Sequence, residues 1–303
     1  MDKDEIRKIK LAALKKEFDG LRTADEVKPP RWISTGFPSL DDILGGGFLR
    51  GKMSEVYGKN KVGKTTLLYE FLAHAQKEGD IAFIDAEHRF DRELAGSLGI
   101  DLKTLSYDDN PCGEEALQLV EGLVKSGTYS AIVVDSIPGL IPRSVLEGEI
   151  GDASVAPLPR LIGGFCARIA HPLYESDTAL VFTNQIRMGN FGGYGKQEVQ
   201  PGGLALKHFT SQSLELRYIG RLDRNDEIYG QKVKITVIKN WGANPSRSAV
   251  LELHYGQGFS VGADMLDRGL KDGTIKQSGA YYEVGDKKVH GRSEAIRHLR
   301  AVE

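Results

Sequence analysis

The sequence predicts an α/β fold with a mostly parallel central sheet, preceded by an N-terminal helix and followed by a small C-terminal α/β domain. Three observations carry that expectation. From Met53 onward, short apolar runs (MSEVY, IAFIDA, AIVVDS, TALVFTNQ) alternate with stretches of helical periodicity. These runs lack the polar alternation of a half-exposed strand, so they belong in a parallel sheet covered on both faces by the intervening helices. After Lys207 the alternating runs SLELRY, KVKITVIKN and AVLELHY come with few helical gaps, which predicts an antiparallel extension of the same sheet.

Taken in order, residues 1–28 are rich in Lys and Glu, and Leu11, Leu14, Phe18 and Leu21 recur at helical spacing, which predicts one amphipathic helix. Such a helix cannot bury its stripe alone, and Lys28-Pro29-Pro30 separates it from the rest of the chain. It must therefore dock on its own core or on a neighbouring copy. Further helices are expected from Lys64, near Arg92, over 113–125 and around 160–174. From about Gly262 a short helix, a turn, the strand pair AYYEV and KKVHG and a last helix at 293–300 predict a small appendage. The expected divisions are residues 1–30, 31–261 and 262–303.

Composition narrows the function classes. A chain of 303 residues with 40% hydrophobic content can fill a sizeable core. The formal net charge of -2 carries no global signature of nucleic-acid binding, so any such contact must come from local basic residues or from a surface built by several subunits. Cys112 and Cys166 are far apart, without a CxxC or a His cluster at zinc spacing, which argues against disulfide and zinc scaffolds. The charged start MDKDEIRKIK, and the lack of any run near the ~20 apolar residues of a membrane helix, make the cytoplasm the expected location.

The strongest chemical signal is Gly58-Lys59-Asn60-Lys61-Val62-Gly63-Lys64-Thr65, a complete GxxxxGKT between an apolar strand and a helix, with Thr66 next in the same turn. Its glycines let backbone N–H groups wrap the phosphates of ATP, Lys64 reaches the terminal phosphates, and Thr65 offers its hydroxyl to Mg²⁺. Ile132-Val133-Val134-Asp135 is an apolar strand ending in an acid, which paired with that loop holds the Mg²⁺ shell. Ile84-Asp85-Ala86-Glu87 ends another such strand, so Glu87 should emerge at the same sheet edge and orient or activate water. The plain alternative for Glu87 is a surface acid that starts a loop.

With ISTGFPSLDDILGGG, the phosphate loop, FIDAEHRFD, IVVDS, EGEIGD, NQIRM and GGLALKHF in that order, the chain resembles the bacterial RecA recombinase family from about Ser34 to Leu299. The resemblance implies a RecA-like P-loop core in which Glu87 activates water and Asp91 contacts adenine, with Leu94 where the family stacks a Tyr. It implies that Gln185, at the end of TALVFTNQ, senses the γ-phosphate and moves a DNA-binding loop. Two Gly-rich segments, about Glu147 to Pro159 and Ile186 to Leu206, are similar to the family's DNA-binding loops, and composition predicts poor order for both. In the second and just after it, Arg187, Lys196 and Lys207 can meet phosphates and Phe191 and Tyr194 can stack on bases, with Gly202 and Gly203 in the same stretch. Arg160 and Arg168, after the first, are further basic candidates.

The chain also departs from the family. Lys239, with Pro245 nearby, lies where members offer two lysines to the ATP of a neighbouring subunit, and Trp241 replaces the second lysine. Pro157 and Pro159 stand where helix formers are usual, and the acidic tail common in the family does not follow Glu303. Lys276, Lys287, Lys288, Arg292, Arg297 and Arg300 leave the appendage basic, where the resemblance implies duplex DNA contact. The implied function is an ATP- and Mg²⁺-dependent homologous recombinase, a homo-oligomeric helical filament on single-stranded DNA that exchanges strands with a duplex. The alternative is a RecA-like accessory ATPase that binds DNA without exchanging strands.

Overall fold

The computed structural model describes residues 2–18, 20–27, 29–149, 156–190, 196–224 and 226–300. They form two compact units, Met1–Arg31 and Trp32–Glu303. In the first, α1 (Lys3–Glu17) opens on a reciprocal cap between Asp2 and Glu5. Phe18 leaves the helix in extended conformation, and Gly20 follows, a residue that helices disfavour. Leu21 therefore lies outside the helix, which corrects the expectation of one helix through residue 28. Lys15 instead reaches across the break to both oxygens of Glu26, each at 2.7 Å.

The second unit begins with the short antiparallel pair β1 (Trp32–Ile33) and β2 (Phe48–Leu49), separated by α2 (Pro38–Leu44). The alternating part runs β3 (Met53–Gly58), α3 (Lys64–Ala75), β4 (Asp80–Asp85), α4 (Arg92–Ser97), β5 (Leu105–Asp108), α5 (Gly113–Ser126) and β6 (Tyr129–Asp135). It continues with α6 (Arg143–Leu146), α7 (Pro157–Ser176), β7 (Ala179–Gln185), β8 (Arg187–Asn190), β9 (Lys196–Val199) and α8 (Gly203–Phe209). Then come β10 (Gln212–Arg224), β11 (Glu227–Asn240), β12 (Ser248–His254) and β13 (Gly258–Phe259). The chain closes with α9 (Val261–Asp272), β14 (Lys276–Ser278), β15 (Tyr281–Val284), β16 (Lys287–His290) and α10 (Arg292–Arg300).

Among the described residues the central sheet has nine strands in the order β13, β12, β11, β10, β3, β7, β6, β4, β5. Every neighbour from β10 to β5 runs parallel and every one from β10 to β13 antiparallel, the division that the change of pattern after Lys207 predicts. One face buries Leu67, Phe71 and Leu72 of α3 and the other buries Val120 of α5 with Phe165 and Ile169 of α7. Each such side chain contributes roughly 1.5–3 kcal/mol by leaving water.

The register aligns the strand ends that matter. Gly58 pairs with Gln185 across β3 and β7, and Asp85 pairs with Asp135 across β4 and β6. All four residues lie at the carboxyl edge, where open α/β sheets bind ligands.

Two local departures have simple causes. α7 starts at Pro157, earlier than expected, because Pro157 and Pro159 occupy its first turn, where no intrahelical N–H bond is lost. The segment after Gln185 is not featureless: Arg187–Asn190 pairs antiparallel with Lys196–Val199 before Gly203 opens α8. The ladder was invisible to periodicity because its strands are four residues each. In the C-terminal stretch α9 is a full twelve-residue helix, and β14 adds a third strand to the expected pair. Leu266, Ile275, Tyr282, Val284, Ala295 and Leu299 form a small core there. Asp264 ties α9 to α2 by accepting from the Ser39 N–H at 3.0 Å and from its hydroxyl.

Glu70, on the buried face of α3, accepts the Phe259 N–H at 2.8 Å through Oε1, whereas Oε2 has no partner among the described residues. Burial pushes this carboxyl from 4.5 up to about 8, against the opposing Phe259 bond. Between those two values the folded chain holds a proton that the unfolded chain releases, so this stabilising contribution is complete below about pH 4.5 and lost as pH rises towards 8. Glu70→Gln keeps the shape without the titration. It should raise the thermal midpoint more at about pH 8 than at about pH 5, the gains in stability differing by roughly 3–4 kcal/mol at most. Equal shifts at both pH values, read by calorimetry, would contradict the assignment.

Candidate active site

The carboxyl edge opens onto a cleft of about 620 Å³, lined by the turn around Lys64, by Asp85, Glu87, Arg89, Asp135 and Gln185, and by Leu253 and Tyr255. Its phosphate cradle depends on two glycines. A Cβ on Gly58 would stand 2.5 Å from the Leu216 carbonyl, and Gly63 has φ +97° with Leu253 2.8 Å from where a Cβ would be. Larger residues are excluded by space at the first and by both space and backbone at the second. Between them Lys59, Asn60 and Lys61 are exposed and Val62 is buried, so the turn is anchored by one apolar side chain. α3 then begins at Lys64, and the amides of its first turn, including those of Thr65 and Thr66, are the natural partners of an anion. The Lys64 ammonium donates to the carbonyls of Gly58 at 3.2 Å and Lys59 at 3.0 Å. Burial lowers its pKa, while Asp135 and Glu87 work against that shift.

Asp135 receives the Thr65 hydroxyl at 2.5 Å on one oxygen and the Thr183 hydroxyl on the other. Burial pushes this carboxyl upward, opposed by those two hydrogen bonds. A hydroxyl and a carboxylate in contact beside a phosphate cradle fit Mg²⁺, which takes few protein oxygens and shares the rest of its shell with substrate phosphates. No group of three His, Cys, Asp or Glu side chains among the described residues is placed to hold a metal ion.

Glu87 is contacted from three sides in the cleft. Its Oε1 accepts from Gln185 Nε2 at 2.7 Å and from the Ser136 hydroxyl, and its Oε2 lies 3.1 Å from Arg89 Nη1. Gln185 in turn follows Asn184, whose side-chain amide donates to the buried Glu55 at 2.8 Å and to the Pro201 carbonyl at 2.9 Å. Ser213 also donates to Glu55, at 3.3 Å, and burial raises the Glu55 pKa. The edge of the cleft is thus tied by hydrogen bonds to the segment that leads into α8.

Of the other sequence-predicted residues, Asp91 caps α4 by accepting the Leu94 N–H at 2.9 Å, and neither of these two lines the cleft; Leu94 packs against the core. Arg187 is exposed at the start of β8, Lys196 starts β9, and Lys207 is exposed on α8. Gly202 and Gly203, at φ +93° and +76°, turn the chain into α8, with Pro159 3.0 Å from where a Cβ of Gly203 would be. That approach brings the end of the first Gly-rich segment against the second. Phe191 and Tyr194 lie outside the described residues, as do residues 150–155 of the first segment. Arg160 is exposed on α7, whereas Arg168 on the same helix pairs with Glu121 at 2.8 Å. Lys239 donates to the carbonyls of Lys207 at 2.9 Å and His208 at 3.2 Å, at the C-terminal end of α8. Pro245 is exposed in the turn after β11, and neither Lys239 nor Pro245 lines the cleft of its own chain. Trp241 is exposed, with Lys52 Nζ 5.2 Å from its ring.

Sequence reasoning missed Ser136, Thr183 and Arg89. Arg89 had a signal, two places after Glu87 in FIDAEHRFD, and Ser136 follows Asp135. Thr183 had none, because its contact with Asp135 depends on β6 and β7 being neighbours.

Comparison with known proteins identifies the family. A family model described as the RecA N-terminal domain matches residues 19–260. The chain is 38% identical over 310 residues to Protein RecA of Chlorobium limicola, covering 99% of this chain and 89% of that one. It is 39% identical over 269 residues to Protein RecA of Chlorobium chlorochromatii, covering 88% and 76%. It is also 39% identical over 273 residues to DNA repair protein recA homolog 3, mitochondrial, of Arabidopsis thaliana, covering 88% and 64%.

If Glu87 accepts the proton of an attacking water, Glu87→Gln keeps the cradle and removes that acceptor. Phosphate release should fall about 10²–10⁴-fold, with binding of a fluorescent ATP analogue nearly unchanged. Near wild-type turnover would exclude Glu87 from the chemistry.

Proposed function

The chain belongs to the RecA family of recombinases and DNA-dependent ATPases, and from that premise we propose that it binds ATP with Mg²⁺ in this cleft and polymerises as a helical homo-oligomer on single-stranded DNA. Homology is then tested against a duplex by base pairing, and hydrolysis resets the filament. The observation that carries the reading is the contact path from Glu87 through Gln185 and Asn184 to Pro201. It sets a group suited to hydrolysis two side chains from the segment suited to DNA.

In this reading Lys64 exchanges two loop carbonyls for phosphate oxygens. Thr65 and Asp135 would hold Mg²⁺, which supplies charge neutralisation at the phosphates. Glu87 accepts a proton from the attacking water, and Gln185 keeps its carboxylate facing the cleft. Asp91 is assigned to the adenine side, and Lys239 and Pro245 to the nucleotide of a neighbouring copy. Arg187, Lys196 and Lys207 meet phosphates, Phe191 and Tyr194 meet bases, Gly202 and Gly203 give the backbone close approach, and Arg160 and Arg168 extend the basic path.

α1, none of whose residues is buried, is assigned to docking on the next subunit. Residues 262–303, with Lys287 and Lys288 on β16, are assigned to a small domain that touches the duplex. No helix among the described residues is long and apolar enough to cross a membrane, and we place this work in the cytoplasm.

Purified protein, circular single-stranded DNA and homologous linear duplex test the proposal directly. Joint molecules that require both ATP and homology are expected. DNA binding without joint molecules would contradict it and favour an accessory role.

A further inference from the structure

Arg89 has little to do in the fold. Its side chain is 74% exposed and forms an ion pair with Glu87 at 3.1 Å. An exposed pair of this kind stabilises a protein by about 0–1 kcal/mol. Yet the backbone is bent beside it: His88 has φ +54°, a left-handed conformation that non-glycine residues rarely adopt. With that bend between them, Glu87 and Arg89 line the same cleft as Lys64, Thr65, Asp135 and Gln185. The other cations lining it are Lys61 and Lys64, and the Lys64 ammonium is already held by loop carbonyls.

We propose that Arg89 is a catalytic residue of the hydrolysis described above, an arginine supplied by the same chain that moves from Glu87 to the γ-phosphoryl group of ATP. The inference rests on that reading of the cleft. The pair with Glu87 engages the carboxylate oxygen left after Ser136 and Gln185 have taken the other. While it lasts, the oxygen best placed to receive a proton is covered. A γ-phosphate offers the guanidinium a denser negative charge and a bidentate partner, the geometry for which arginine is preferred over lysine.

Transfer of Arg89 to that group does two things in one movement. It uncovers Glu87 Oε2, and it brings a positive charge to the equatorial oxygens of the phosphoryl group in flight. In the step itself the water oxygen bonds to the γ-phosphorus as the bond from that phosphorus to the β–γ bridging oxygen breaks. ADP leaves with the electron pair, the water proton passes to Glu87, and Arg89 stays protonated throughout. Glu87 then returns its proton to the phosphate or to solvent.

The test uses the full chain with Arg89→Ala and Arg89→Lys, each first shown to melt like the wild type. Two quantities are measured: kcat and KM for ATP at saturating single-stranded DNA, and affinity for ADP with and without aluminium fluoride, a mimic of the phosphoryl group in transfer. An arginine on that group is worth about 10³-fold or more in turnover. Arg89→Ala should therefore lose at least about 100-fold in kcat, Lys64 sharing the charge, with KM changed only a few fold. It should bind ADP normally but lose most of the extra affinity that aluminium fluoride confers, and Arg89→Lys should recover part of both.

Unchanged kcat in Arg89→Ala would overturn the proposal. Increased kcat would overturn it in favour of a simple brake on Glu87. Equal losses for ADP with and without aluminium fluoride would reduce Arg89 to a ground-state contact and overturn it too. A wild type that shows no DNA-stimulated hydrolysis would instead sink the underlying function, and this inference with it.

Discussion

The parallel register at the centre of the sheet, with Gly58 opposite Gln185 and Asp85 opposite Asp135, fixes the edge from which the cleft is built. A slip of one residue in β7 would turn Gln185 and Thr183 to the other face and part them from Glu87 and Asp135. Two things resist that slip. Strands β3, β4, β6 and β7 bury apolar side chains on both faces, so any shift exposes or crowds a core. The buried carboxylate of Glu55 on β3 also accepts from Asn184 on β7 and Ser213 on β10, a polar latch across adjacent strands whose loss would leave a buried acid unpaired.

From that fixed edge one contact reaches outward to α8, and a second closes on the same helix from the opposite end of the sheet. Asn184 carries one to Pro201, after which Gly202 and Gly203 turn into α8 against Ile137 and Pro159. Lys239 at the far end of β11 closes the other, donating to the last turn of α8 through Lys207 and His208. α8 is short, and its ends are held by the cleft edge on one side and by a lysine on the other. The segment that starts at Arg187 is thus held to the cleft edge through Asn184, the residue beside Gln185.

What the sequence made legible was what is locally encoded. The glycine loop, the unbroken apolar strands ending in Asp85 and Asp135, and the helix opening at Lys64 each depend on a few consecutive residues, and the structure places all of them at one edge. Glu87 and Gln185, chosen separately, prove to be hydrogen-bonded to each other. Contacts between distant strands were not legible: Thr183 reads as one more β-branched strand residue until β6 and β7 are seen side by side. Helix ends were misjudged where a single residue decides them, as at Phe18, and short ladders such as Arg187–Asn190 with Lys196–Val199 give too few periods to recognise. Arg89 was not legible because a cation after an acid usually marks a solvated turn, and its place in the cleft shows only in the fold.

If phosphate occupancy and DNA binding are linked through Gln185, as the resemblance implies, the linkage is reciprocal and has a thermodynamic signature. A non-hydrolysable ATP analogue should tighten single-stranded DNA binding by the same factor as DNA tightens the analogue, about 5–150-fold for coupling energies of about 1–3 kcal/mol. The decisive measurement is that pair of factors in wild type and in Gln185→Ala, whose cradle and Lys64 remain. Equal factors well above one are expected in the wild type and factors near one in the variant. An analogue that tightens DNA binding equally in both proteins would contradict it.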